Sequence, residues 1–153
     1  MSYFHVSNDF VETGRTLASK YATSIKDPYY YQANDANYAQ YLREMIFEKV
    51  REEHYPMKPS RVNSIYLFED LEYAKLFAEK TNRKYIYSVT IESSGRMLHA
   101  DMGWMDESNR RSYEEVVEIA HKYYKQEQSE NYFEEVLFEG LVTIHEVMEE
   151  INY

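Results

Sequence analysis

Asn63-Ser64-Ile65-Tyr66-Leu67-Phe68-Glu69-Asp70, running straight into residues 71–80, is the stretch that decides how this chain folds. Residues 63–68 form a short apolar run with β-branched and aromatic members, the composition of a strand. Asp70 supplies a cap for the helix behind it, whose buried side is expected to be Leu71, Ala74, Leu76, Phe77 and Ala78. Residues 84–92 then set Tyr85, Tyr87, Val89 and Ile91 against Lys84, Ile86, Ser88 and Thr90, the two-residue period of a half-buried strand, which Gly95 ends. The unit is strand, helix, strand, yet no glycine-rich phosphate loop follows a strand and the connections are irregular. An α+β domain with a split mixed or antiparallel sheet and flanking helices is predicted, rather than a doubly wound parallel sheet.

The flanks extend this pattern. Residues 2–7, Ser-Tyr-Phe-His-Val-Ser, read as a first strand that turns at Asn8-Asp9. Residues 21–37 hold Pro28 and Tyr29-Tyr30-Tyr31 without periodicity and are expected to form a lid-like loop. Asn37 is expected to cap a helix over 38–53 carrying Tyr41, Met45, Ile46 and Val50, ended by Pro56 and Pro59. Residues 99–107, with the only Trp, read as a loop, and 113–126 as an amphipathic helix. Residues 134–147, broken at Gly140, read as two short strands.

Composition narrows the classes of function. The chain of 153 residues is 44% hydrophobic, which excludes a disordered reading and fits one domain over residues 1–153. With no Cys, disulfide scaffolds, thiolate metal sites and Cys nucleophiles are excluded. The five His residues show no paired ligand spacing, so no dedicated metal site is expected. A net charge of -10 disfavours extended nucleic acid as a partner, since phosphate neutralisation needs clustered Lys and Arg. No apolar run reaches the roughly 20 residues of a membrane span, and residues 1–20 lack the pattern of a signal peptide. A cytoplasmic protein is expected, in the host cytoplasm if phage-encoded.

Three segments together resemble the ADP-ribosyltransferase superfamily, especially the compact rifampin ADP-ribosyltransferase type and related small bacterial and phage proteins. Phe4-His5-Val6-Ser7 resembles the first-strand motif, which implies that His5 holds the nicotinamide-side ribose of NAD and that Ser7 is among the NAD-binding residues. The strand bearing Ser64 and Tyr66, followed by an Ala-bearing helix, resembles the second element, which implies that Tyr66 stacks on nicotinamide. Phe133-Glu134-Glu135-Val136-Leu137 resembles the late strand, which makes Glu135 the expected catalytic acid; Phe133 stands where arginine-modifying members carry Glu or Gln. Asp101 is the alternative acid, because rifampin-type members use a central Asp. Arg61 is a further candidate, for the pyrophosphate, since a guanidinium pairs with two phosphate oxygens.

What the resemblance implies is transfer of ADP-ribose from NAD to a protein or small-molecule acceptor, as in toxins, resistance enzymes and phage factors that disable a host or its defences. Breaking the nicotinamide bond builds positive charge on the ribose, which a fixed carboxylate stabilises. The competing reading is a non-enzymatic, acidic, Tyr-rich protein that docks on a basic partner through aromatic anchors such as Tyr29-Tyr30-Tyr31. Convergence of His5, Tyr66 and one acid on a single cleft separates the two.

Overall fold

The computed structural model describes residues 3–19 and 37–153. Its elements are β1 (Tyr3–Ser7), β2 (Thr16–Leu17), α1 (Tyr38–His54), β3 (Ile65–Leu67), α2 (Leu71–Lys80), β4 (Tyr85–Ile91), β5 (Met97–Asp101), α3 (Gly103–Glu107), α4 (Tyr113–Tyr124), β6 (Glu134–Phe138) and β7 (Val142–Glu150). Of the expected loop at 21–37, residues 21–36 lie outside the described residues.

All pairings are antiparallel and fall into two sheets, ordered β1-β4-β7-β2 and β3-β6-β5. The mixed α+β class is as expected. The strands at 134–147 do not form a hairpin with each other: β6 pairs with β3 and β5, while β7 pairs with β4 and β2. The turn at Gly140 therefore carries the chain from one sheet to the other. A Cβ there would collide with the Phe138 ring and approach Ser93 Oγ at 2.8 Å, so only glycine fits.

Apolar faces explain the layering. Ile65, Leu67, Val136 and Phe138 pack with Tyr3, Tyr87, Val89 and Ile144 between the sheets. The opposite face of the three-stranded sheet, with Leu98, Ala100 and Leu137, packs on Phe47 and Val50 of α1 and on Val116, Ile119 and Tyr123 of α4. Ala74 and Ala78 of α2 cover Val6 and Ile86. Capping sets two helix starts: Asp70 accepts from Glu72 N at 2.8 Å, and Ser112 with Glu115 forms a reciprocal capping box on α4. Asn37 makes no side-chain cap bond.

Four local expectations are corrected. β4 is not half-buried: Ile86, Tyr87, Ser88 and Val89 are all buried, because α2 covers one face and the second sheet the other. Leu76 is 52% exposed, and α2 buries only Ala74 and Ala78 fully. Residues 97–101 are a strand, β5, whose alternation is hidden in the sequence because His99 and Asp101 hold every second position. The buried residues of α1 are Glu44, Phe47, Val50 and Arg51 rather than Tyr41, Met45 and Ile46, for the electrostatic reason given below. No helix among the described residues is long and apolar enough to cross a membrane.

Candidate functional site

β1 and β3 are edge strands of different sheets, joined at an isolated bridge where Phe4 N donates to Phe68 O at 2.8 Å and Phe68 N to Phe4 O at 2.9 Å. Towards Ser7 and Ser64 the two strands part, and a cleft of about 280 Å³ opens between them. His5, Ser7, Ser64 and Tyr66, four residues named from sequence, all line it. Strand parity explains β1: Tyr3 faces the inter-sheet core, so His5 and Ser7, at two-residue steps, follow on the same face as the core gives way to the cleft.

His5 Nδ1 lies 3.0 Å from the carbonyl oxygen of Tyr66. A carbonyl only accepts, so Nδ1 carries the proton of this contact. Ser7 Oγ accepts from Asp9 N at 3.1 Å, and the buried Ser64 hydroxyl donates to Ser60 O at 2.6 Å. The far wall is tied down by Tyr87, whose hydroxyl accepts from Val11 N at 2.8 Å and donates to Asp9 O at 2.9 Å. Ser19 Oγ donates to Val62 O at 3.2 Å.

Two charged residues of the cleft had not been picked out from sequence. Asp9 is exposed and is the only carboxylate lining it among the described residues. Arg83 is placed there by a tight turn in which Asn82 adopts φ 53°, a left-handed conformation that Asn tolerates, and Arg83 N donates to Ala78 O at 2.9 Å. Burial pulls Arg83 below the ordinary guanidinium value while nearby Tyr66 acts the other way, and the group remains a cation. Asp9 lies two residues beyond the first-strand motif, in the turn read at Asn8-Asp9, a nearness that could have singled it out; nothing in the sequence marked Arg83.

The remaining candidates lie on the other side of the three-stranded sheet. Arg61 is 5% exposed, Glu44 1% and Glu135 0%. Arg61 Nε donates to Glu44 Oε2 at 3.0 Å and Nη1 to Glu135 Oε1 at 2.7 Å. Tyr123 OH accepts from Arg61 Nη1 and donates to Glu135 Oε1, both at 2.7 Å. Burial pushes the Tyr123 hydroxyl well above its ordinary value, so it stays protonated and donating. Arg61 does not line the cleft, and neither does Glu135, whose Oε2 is buried without a hydrogen-bond partner. Tyr66 links the two regions: its backbone borders the cleft at His5, while its ring lies over the Arg61 guanidinium at 5.3 Å and its hydroxyl donates to Arg61 O at 2.9 Å.

This network is why α1 turns Glu44 inward: a buried cation holds a carboxylate where periodicity alone calls for an apolar residue. Burial pushes the Glu44 carboxyl up, but Arg61 and then Arg43 outweigh it and hold the group below its ordinary value. Asp101 is likewise committed, as a buried carboxylate accepting from the backbone N–H groups of Gly103 at 2.8 Å, Ser129 at 2.6 Å and Phe133 at 2.9 Å. It ends β5 and fastens the loop that leads into β6, and it does not line the cleft.

Glu69, His99 and Glu134 bring ligand-type atoms within 4.8 Å of one another, a grouping the scattered His positions did not signal. His99 Nδ1 faces Glu134 at 3.2 Å and Nε2 faces Glu69 at 3.5 Å.

Among curated proteins none matches the chain. The family described as "Protein of unknown function (DUF2441)" matches residues 3–152, and the chain belongs to that family.

Proposed function

We propose that the cleft between β1 and β3 binds NAD and that the protein transfers ADP-ribose from it to a protein or small-molecule acceptor. The observation that carries this reading is the convergence of His5 and Ser7 of β1 with Tyr66 of β3 and Ser64 just before it, from two different sheets, on one cleft. These are the residues through which the sequence resembles the ADP-ribosyltransferase superfamily. A cleft of about 280 Å³ suits part of a dinucleotide, such as the nicotinamide ribose, with the rest of the molecule lying along its mouth.

In this reading His5 and Ser7 contact the ribose hydroxyls, and Arg83, in place of Arg61, pairs with a phosphate. The bond between ribose C1′ and the nicotinamide nitrogen breaks, its electron pair leaving with nicotinamide. An acceptor nucleophile forms the new bond at C1′ and gives up its proton. The developing positive charge calls for an acid. Glu135, held by Arg61 and Tyr123 behind Tyr66, is the acid implied by the resemblance, and Asp9 is the one that lines the cleft.

The experiment is release of nicotinamide from NAD, followed by chromatography, with radiolabelled adenylate used to trace transfer into a bacterial lysate. His5→Ala is expected to cut release by about 100-fold, the scale of losing one preorganised group. Glu135→Gln and Asp9→Asn then assign the acid. Wild-type protein that neither releases nicotinamide nor labels any acceptor refutes the reading.

A further inference from the structure

A second groove, of about 780 Å³, runs between α1 and the turn that precedes α4, and the cleft reading leaves it unused. Its existence follows from the rotation of α1. Because Glu44, Phe47, Val50 and Arg51 face the core, Leu42, Met45 and Ile46 fall on a flank that no strand covers. Tyr113 and Val116 of α4 complete an apolar floor, in which Leu42 is 44% and Tyr113 55% exposed. Apolar side chains left in water along a concave surface mark a binding face.

The rim carries the opposite sign from the rest of the molecule. Arg43, Lys49, Arg110 and Arg111 line the groove, and among the described residues no carboxylate does, in a chain of net charge -10. Arg111 shares its charge with Glu115 at 3.2 Å and Arg43 with Glu44 at 3.0 Å, whereas Lys49 and Arg110 have no salt bridge among the described residues.

We infer that this groove docks an acidic amphipathic helix of a partner protein. The part of α1 that lines it, residues 39–49, is roughly 15 Å long, about three turns, which matches apolar anchors at i, i+3 or i+4, and i+7 of a docked helix. Cations stand on both sides, two on α1 and two on the turn before α4, so acidic residues flanking the apolar stripe meet opposite charge along either edge. A nucleic acid does not fit, since its phosphates would meet an apolar floor on a protein of net charge -10. An anionic membrane does not fit either, because the floor lies in a recess between helices rather than on a projecting face.

The test is a display library of helical peptides with Leu fixed at i, i+3, i+4 and i+7 and all other positions drawn from Glu, Gln and Lys, selected against the whole protein. Enrichment of Glu is expected, with amide shifts in α1 and α4. Affinity by fluorescence anisotropy should fall at least about tenfold in Lys49→Glu/Arg110→Glu, two exposed positions where the fold tolerates the change. Phosphatidylglycerol vesicles and a DNA 20-mer serve as the other ligands. Selection of neutral or Lys-rich peptides, no enrichment, or equal affinity for the double variant overturns the inference. Vesicle or DNA binding that the double variant abolishes, without peptide binding, overturns it as well.

Discussion

Arg61→Met removes the cation that two buried carboxylates share. Glu44 is 1% and Glu135 0% exposed, so neither can turn to water without opening the layer between α1, α4 and the three-stranded sheet. Breaking a buried pair from one side costs about 3–5 kcal/mol, against at most about 1 kcal/mol for an exposed pair. Arg43, 3.0 Å from Glu44, retains part of the compensation there and places the expected loss near the lower end, about 3 kcal/mol. The pH dependence has a definite sign. In the wild type Glu44 is depressed, so its contribution is present above the unfolded value of 4.5 and is lost as pH falls through the folded value. Without Arg61, burial has less to oppose it, so the deficit stands at pH 7 and narrows on acidification as Glu44 takes up its proton. Urea unfolding followed by circular dichroism at pH 7 and pH 4 measures both, and Arg61→Met/Glu135→Leu should lose less than the single variant because it strands one carboxylate fewer. A loss under about 1 kcal/mol at pH 7, or a deficit that grows on acidification, refutes the electrostatic account of this core.

Tyr124→Phe should be neutral or stabilising by up to about 1 kcal/mol in the same melts, since the hydroxyl is buried with no partner. Ser112→Ala breaks the capping box of α4 and should cost about 1 kcal/mol, read as a lower thermal midpoint. Asp101→Asn disturbs a carboxylate that accepts three backbone N–H groups and should cost about 1–3 kcal/mol, while nicotinamide release at saturating NAD stays near the wild-type rate. Gly103→Ala should give less soluble protein, because an added Cβ would collide with Ser129 and Asn131 and approach Asp101 Oδ1 at 2.9 Å.

The elements visible in the sequence are those with a local signal. Asp70 caps α2 as expected, and within the strands expected at 84–92 and 63–68 lie β4 (Tyr85–Ile91) and β3 (Ile65–Leu67). What stayed hidden depends on distant partners. Glu44 sits in the buried stripe of α1 only because Arg61 meets it across the core, and periodicity read by hydrophobicity passed over it. β5 was missed because His99 and Asp101 obscure its alternation, and the parting of β6 from β7 into separate sheets has no local cause. At the cleft, residues on or next to strands with a recognisable pattern, His5, Ser7, Ser64 and Tyr66, were legible. Arg83 was not, since its place depends on a left-handed turn at Asn82.

Titration of isotope-labelled protein with NAD, followed through backbone amide resonances, tests the central claim most directly. Saturable shifts are expected at His5, Ser7, Ser64, Tyr66 and Arg83, weakened about tenfold or more by His5→Ala, with α1 and α4 little affected. Shifts confined to other surfaces, or none at a large excess of NAD, contradict the account.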